Sequence, residues 1–579
     1  MRAFNSSTHL IAVALLCLVF VPLAWSLGYA VLTGVDSAAW LALWHDSQTT
    51  QALGMSLWTG LASAGLATAT SAWLLSLSAT PVQQQRLTHK LGFMLAVPHA
   101  AFAMGLVLLI APSGWLLRLL SPWATGLSAP PPWATTQDPM GLGLIAVLAL
   151  KETPFLLWAA LTQLQRSEVA QRLTREMQLA TTFGYAAQAA WWRVVWPQLL
   201  ARMGAPLLAV LAYGLTVVDV ALVIGPASPP TLAVLSWQWL QDANTLQNAQ
   251  GAAAAWALAL AVIVCTSVAW ALLNAPLWRH WRTRGAPLLE PTGLALSPLQ
   301  AVHANGSTLR AWVANQTSAV GRGAPLALSA IYLAVLAALL LGSFIGSWPF
   351  PDLLPARWNT VAWRTVADSL PTVWSTLWLA LLSATCALLW VVAWLELAPA
   401  QWQRRIQSLA YAPLVLPGLL WVIGLHRLAL HWGLDATATG VWSAHTLACL
   451  PYVLLSTVGA YGGFDRRYAQ LTASLGQARW HFLLRVKWPM LRAPLAWGFA
   501  VGFAVSVAQY LPTLYVGAGR FSTVTTEAVT LAAGGQRSLM AAFAWLQWLL
   551  PVFMFTVAAW MGRKRQFTHN AQPLGTIAP

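Results

Sequence analysis

The chain has 579 residues, 58% of them hydrophobic and only 8% charged, with a formal net charge of +16. Soluble domains carry about 25% charged residues, so a surface bathed in water all round is excluded. The basic residues form no single patch interleaved with aromatics, which excludes nucleic acid as a partner.

A bilayer core about 30 Å thick takes roughly 20 mostly apolar residues per helix. In chain order such runs predict twelve spans, near 10–33, 51–79, 91–112, 141–164, 204–225, 251–274, 326–347, 370–396, 407–430, 440–461, 494–516 and 540–562. The expectation is an all-α polytopic membrane protein of two tandem six-helix halves, 1–277 and 325–579. The stretch 278–324, rich in Gly, Pro, Ser and Asn, reads as the linker between them. The first run is longer than the apolar core of a signal peptide, about 7–15 residues, and reads as a retained membrane helix. Cys17, Cys265, Cys386 and Cys449 fall inside spans without metal-site spacing and read as small buried hydrophobes. No metal or cofactor is expected.

Charge alternates between the loops. Arg2, Arg86 with Lys90, Arg166 to Arg202, the 279–322 segment, Arg404 with Arg405, the 466–492 segment and Arg563-Lys564-Arg565 fall on one side. The opposite loops carry Asp36, Asp46, Asp138, Asp242, Asp352 and Asp435. The positive-inside rule then places both termini and the linker in the cytoplasm, with the spans in a bacterial inner membrane.

An internal repeat is the most informative feature. Gln178-Leu179-Ala180, Gly184 and Arg193-Val194-Val195-Trp196-Pro197 stand before the fifth span. Gln470-Leu471-Thr472, Gly476 and Arg485-Val486-Lys487-Trp488-Pro489 stand before the eleventh, at a constant offset of 292. Both copies lie in long, Arg-bearing loops on the basic side, 166–203 and 462–493. Gly allows a sharp bend, because it takes positive φ without steric cost. Pro suits the start of a helix, where its missing N–H is not needed. Between them the pattern predicts a short amphipathic helix, Trp191 to Val195 or Phe482 to Val486, with arginines toward water. Two such loops suit a two-lobed symmetric partner.

This pattern resembles the Glu-Ala-Ala loop of binding-protein-dependent ATP-binding cassette importer permeases. In that family the loop forms a coupling helix seated in a groove of the ATPase subunit. By position the resemblance assigns Gln178, Ala180, Gly184, Arg193 and Pro197 to one coupling loop, and Gln470, Gly476, Arg485 and Pro489 to the other. Gln replaces the family's first Glu in both, so a salt bridge to the ATPase at that point is not carried over; Gln retains hydrogen bonding. The fused layout looks like the double-length permeases of ferric-iron and thiamine uptake. It is most similar to a branch sharing Leu109-Ile110-Ala111-Pro112-Ser113-Gly114-Trp115 and Ala508-Gln509-Tyr510-Leu511-Pro512-Thr513. The resemblance implies a separate ATPase dimer, a periplasmic substrate-binding protein, and a small cargo such as a thiamine-like cation or ferric iron.

A phosphate-binding P-loop needs a Gly-Lys pair. The four lysines, Lys90, Lys151, Lys487 and Lys564, follow His89, Leu150, Val486 and Arg563. Any ATP hydrolysis therefore belongs to a partner chain, and the subunit is not itself an enzyme.

Ionisable residues within spans are functional candidates. Lys151 and Glu152 precede Thr153-Pro154 and point about 100° apart. Either one forms an interhelical ion pair while the other snorkels into water, or one of them lines a translocation path beside the proline kink. Asp219 in the fifth span either lines the path, as the resemblance implies, or caps a helix discontinuity; Gln509 lies near the corresponding place. His99 after Pro98, which aligns with Pro417, reads as a packed, hydrogen-bonded residue. His426 and His431 lack a third ligand. An ion-gradient-driven 6+6 transporter is the alternative class, but it predicts a signature between the second and third spans that 80–86 lacks. A membrane-embedded transferase needs a polar cluster that the outer loops, with Asp138 and Glu527, do not offer.

Overall fold

The computed structural model describes residues 6–78, 81–185, 187–276, 306–405 and 407–562. Arg2, the linker residues 278–305 and Arg563-Lys564-Arg565 lie outside them, as do the side chains of 306–322 and Arg404.

The described chain is helical, with a single isolated β-bridge between Ile345 and Trp358. Nine described helices are long and apolar enough to cross a membrane, or eleven if two sharply bent pairs each count as a span. Ser6–Thr33, Ser47–Leu77, Leu142–Leu164, Thr245–Asn274, Leu370–Leu397, Ala438–Gly462 and Arg537–Gly562 coincide with expected spans. Gly306–Gly342 starts twenty residues ahead of its expected span, inside the segment read as linker.

The departures have physical causes. The third span is cut at residues 96–98, between Pro81–Leu95 and His99–Ile110. The ninth, expected at 407–430, becomes a 3-10 turn, a four-residue helix and Gly418–His431. Pro98 and Pro417 cause both breaks, because a proline lacks the N–H that its helix needs and crowds the preceding residue out of the helical region. The fourteen-residue Gly418–His431 reaches only about 21 Å. Short helices such as Ser37–His45, Trp115–Leu120, Leu232–Leu240, Val361–Asp368 and Val524–Ala533 escape a twenty-residue window.

The two halves interlock through their first helices. Val19, Phe20 and Leu23 share a core with Trp390, Trp394 and Val422, and Trp390 Nε1 donates to the Leu15 carbonyl at 2.8 Å. Reciprocally, Tyr332 and Val335 pack with Phe102 and Met104, and the Tyr332 hydroxyl donates to the Leu150 carbonyl at 3.1 Å. Each guest helix sits against a glycine. A Cβ on Gly105 would lie 2.7 Å from the Val335 carbonyl oxygen, and one on Gly424 would strike that of Ser26. Gly105 and Gly424 stand seven residues after Pro98 and Pro417. Small residues are how membrane helices approach closely when lipid supplies no hydrophobic drive between them.

Cys449 is buried and Cys17 exposed, and all four cysteines are free. The expectation of burial fails for Cys17 because its face of Ser6–Thr33 points outward.

Candidate functional site

The two repeated loops fold alike. Ser167–Thr182 and Arg467–Ser474 each end in a closed cap, with Tyr185 N donating to Ala180 O at 3.2 Å and Gln477 N to Thr472 O at 3.1 Å. Such a cap requires a left-handed residue just past the helix. Gly184 at φ +86° and Gly476 at φ +70° supply it. Nothing lies within 4 Å of a Cβ built on either, so backbone conformation, not space, demands glycine. The backbone carbonyl of Ala180 or Thr472 closes the cap, and Gly184 or Gly476 supplies its turn.

Beyond each cap the helix continues through a π turn, Trp191–Val195 or Leu483–Lys487. Trp196 N reaches back to Trp191 O, and Trp488 N to Leu483 O. The wider turn falls immediately before Pro197 and Pro489, where an α-turn would clash with the proline ring. The expected short helix is therefore one longer bulged helix in each half. It then meets the next span at an elbow of 67° after Arg202 and 73° after Met490. Arg485 is exposed, as anticipated. Arg193 is half-buried instead, its Cζ 4.9 Å from the centre of the Tyr185 ring. An arginine over an aromatic face trades hydration for a cation–π contact.

The loops are held differently. In the first, Glu176 accepts from Arg172 Nε at 2.8 Å and from Gln198 Nε2, tying the capped helix to the elbow helix. In the second, Glu396 at the end of Leu370–Leu397 pairs with Lys487 and, at 3.4 Å, with Arg479. Trp488 Nε1 also donates to the Tyr461 hydroxyl at 2.8 Å. Sequence reasoning missed Glu176 and Glu396; an acid beside a basic loop was the available signal.

Inside the membrane, both Lys151 and Glu152 are buried. Glu152 Oε1 meets His99 Nε2 at 2.9 Å. Lys151 does not snorkel into water; its Nζ donates to the Met94 carbonyl at 3.1 Å, with the Tyr332 ring 5.7 Å away. The His99 and Tyr213 rings are 4.8 Å apart. Asp219 opens the short Asp219–Ile224 helix after a break at Val217-Val218, within electrostatic reach of His99 and of the first backbone N–H groups of that helix. The structure thus brings His99, Glu152, Tyr213 and Asp219 together at the proline break of the third span. Tyr452, 41% exposed between buried neighbours, and Tyr510 face this cluster from the second half, within electrostatic reach of Glu152 and Asp219 respectively. Gln509, between the helices Arg492–Val507 and Leu511–Gly517, donates through Nε2 to Val505 O at 3.2 Å. The residue that starts the matching helix is Leu511, at the loop offset of 292 from Asp219. His426 faces Asp435 at 3.6 Å, and no three-ligand metal group exists among the described residues.

Two interlocked halves, each with a capped, elbowed loop, match the layout of the membrane subunits of ATP-binding cassette transporters. The chain belongs to the ABC transporter permease family. Over 564 residues, 96% of the chain and 97% of the relative, it is 34% identical to the inner membrane ABC transporter permease protein YnjC of Escherichia coli. Over 80 residues, 14% of the chain and 15% of the relative, it is 30% identical to the thiamine transport system permease protein ThiP of Haemophilus influenzae. No protein-family model matches.

Proposed function

We propose that this permease forms the channel of an importer whose ATPase lies on a separate two-lobed partner, docked at the two elbows. One observation carries the reading. Leu179 is 58% exposed and Leu471 59%; Phe183 is 81% exposed and Leu475 67%. These pairs stand at the same offset of 292, in or at the ends of helices beside Arg172, Arg175, Glu176, Arg466 and Arg467. Apolar side chains left in a polar surface at matching places mark an interface, and duplication of the mark fits a partner with twofold symmetry.

In this reading, ATP-driven closure of the partner draws the elbows together, and the bent spans that follow them tilt to open the channel toward the periplasm. A substrate-binding protein there delivers a small cargo. The His99–Glu152–Asp219 cluster, with tyrosines from both halves, lines its passage.

The test is co-purification with the cognate ATPase. Leu179→Asp with Phe183→Asp, combined with Leu471→Asp and Leu475→Asp, should abolish it, while Leu354→Asp on the opposite face leaves it intact. Undiminished recovery of the ATPase with the fourfold variant defeats the proposal, as does transport by purified permease alone.

A further inference from the structure

At the membrane face opposite the docking loops, a cavity of about 530 Å³ opens between the halves, lined by Ser113, Arg118, Ser128, Trp348, Arg537 and Ser538 among others. Two guanidinium groups, one from each half, converge there on one serine. Arg118 Nε donates to the Ser113 carbonyl at 2.9 Å, and Arg537 Nη1 donates to Ser113 Oγ at 2.7 Å. Arg118 is only 3% exposed. The carbonyls of Pro349, Asp352 and Trp348 hold it at 2.6, 2.9 and 3.1 Å, and its Cζ sits 3.8 Å over the Trp348 ring. Four of its five N–H groups are thereby used, and its orientation is fixed.

Among the described residues neither arginine lies within ion-pair distance of a carboxylate. Asp352 acts on Arg118 only at longer range, and Arg537 repels it. Two cations and one acid leave a local charge of about +1, which one monoanion would neutralise. Arg537 also opens the Arg537–Gly562 helix, whose positive dipole end favours an anion. The depth is marked by indoles: Trp115 and Trp348 are 4.6 Å apart, and Trp123 and Trp133 are 76% and 60% exposed nearby in sequence. Tryptophan collects at the headgroup level. Leu116, Leu119 and Leu120, beside Arg118, are exposed as acyl chains require.

We propose that this cavity binds the phosphodiester headgroup of a membrane lipid, clamping the two halves together at the face opposite the docking loops. Arg537 presents a fork that matches phosphate oxygens in geometry and charge, while Arg118, tied to the carbonyls, adds its positive charge. A phosphodiester carries the single negative charge that the cavity lacks. Free phosphate shares this chemistry, but the indoles and outward leucines place the opening where lipid is.

The experiment titrates the purified, delipidated full chain in detergent with short-chain phosphatidylglycerol and, separately, inorganic phosphate, reading Tm. The lipid should raise Tm saturably. Arg537→Gln should weaken the apparent affinity about tenfold, the loss of one charge-assisted hydrogen bond, while Arg520→Gln, outside the cavity, leaves it unchanged. Arg537 was chosen because Arg118 also holds backbone. Equal lipid responses in wild type and Arg537→Gln overturn the proposal, as does an equal loss in Arg520→Gln. An Arg537-dependent response to inorganic phosphate matching that to lipid overturns the lipid assignment.

Discussion

Lys151 Nζ donates to the carbonyl oxygen of Met94 at 3.1 Å, and four residues beyond Met94 stands Pro98. In an unbroken helix the N–H of residue 98 would take that carbonyl. Proline has none; Val97 N reaches the carbonyl only at 3.4 Å, and a lysine from a neighbouring span makes the shorter bond. The cation is stationed at the cut end of a helix, where the negative pole of the dipole lies.

Lys151→Met should therefore lower stability by about 1 kcal/mol, the loss of one hydrogen bond from an acceptor that keeps only the 3.4 Å bond from Val97 N, read as a fall in Tm. Adding Pro98→Ala to Lys151→Met restores an N–H and should recover part of the loss. Equal Tm values with and without Pro98→Ala would show that the bond does not stand in for the proline.

The two elbow loops should respond to different substitutions. Glu396 and Lys487 are 11% and 13% exposed at their side chains, sheltered enough that the pair is more than a surface contact. A double-mutant cycle with Glu396→Gln and Lys487→Met should give a coupling energy of about 1–2 kcal/mol. A coupling below about 0.3 kcal/mol would place the pair with ordinary exposed ion pairs.

Gly184→Ala and Gly476→Ala should each cost about 1 kcal/mol, since both positions need positive φ while neither is crowded. Asn, which tolerates the left-handed region, should cost less than Ala at both sites. If Ala and Asn are equivalent in Tm and in ATPase recovery, the caps are not what hold the loops in shape.

Glu176 gives the first loop a pH dependence. Burial works against its ionisation, but hydrogen bonds from Arg172 and Gln198 outweigh that and bring its carboxyl below 4.5. A depressed carboxyl stabilises the fold fully above its unfolded value and loses that contribution as pH falls through the lower folded one. Amide protection in 167–182 and 196–202, taken relative to the intrinsic exchange rate at each pH, should therefore be high at pH 7 and fall below about pH 4.5. In Glu176→Gln that fall should be absent.

The membrane class, most of the spans and the repeat that builds the two elbow loops were legible in the linear order of residues. Apolar length, Gly, Pro and a fixed spacing are local quantities, and each acts on the backbone within a turn or two. The breaks at Pro98 and Pro417 were equally local, yet a count of apolar residues passes through a proline without registering it. The short helices, the π turns before Pro197 and Pro489, and the pairing of Glu396 with Lys487 were not legible, because hydropathy averages over more residues than these features contain or because the partners lie far apart in the chain.

What the sequence determined by itself was that this chain enters a bilayer, is built twice over, and bends at Gly184 and Gly476. Only the tertiary structure decided which groups meet. It set Glu152 against His99 and sent its neighbour Lys151 the other way to Met94, and it seated each first helix on the other half's glycine. The reason is that a helix fixes the direction of every side chain but not the surface it will face, and in a membrane that surface is chosen by close packing and by polar groups that have no water to turn to.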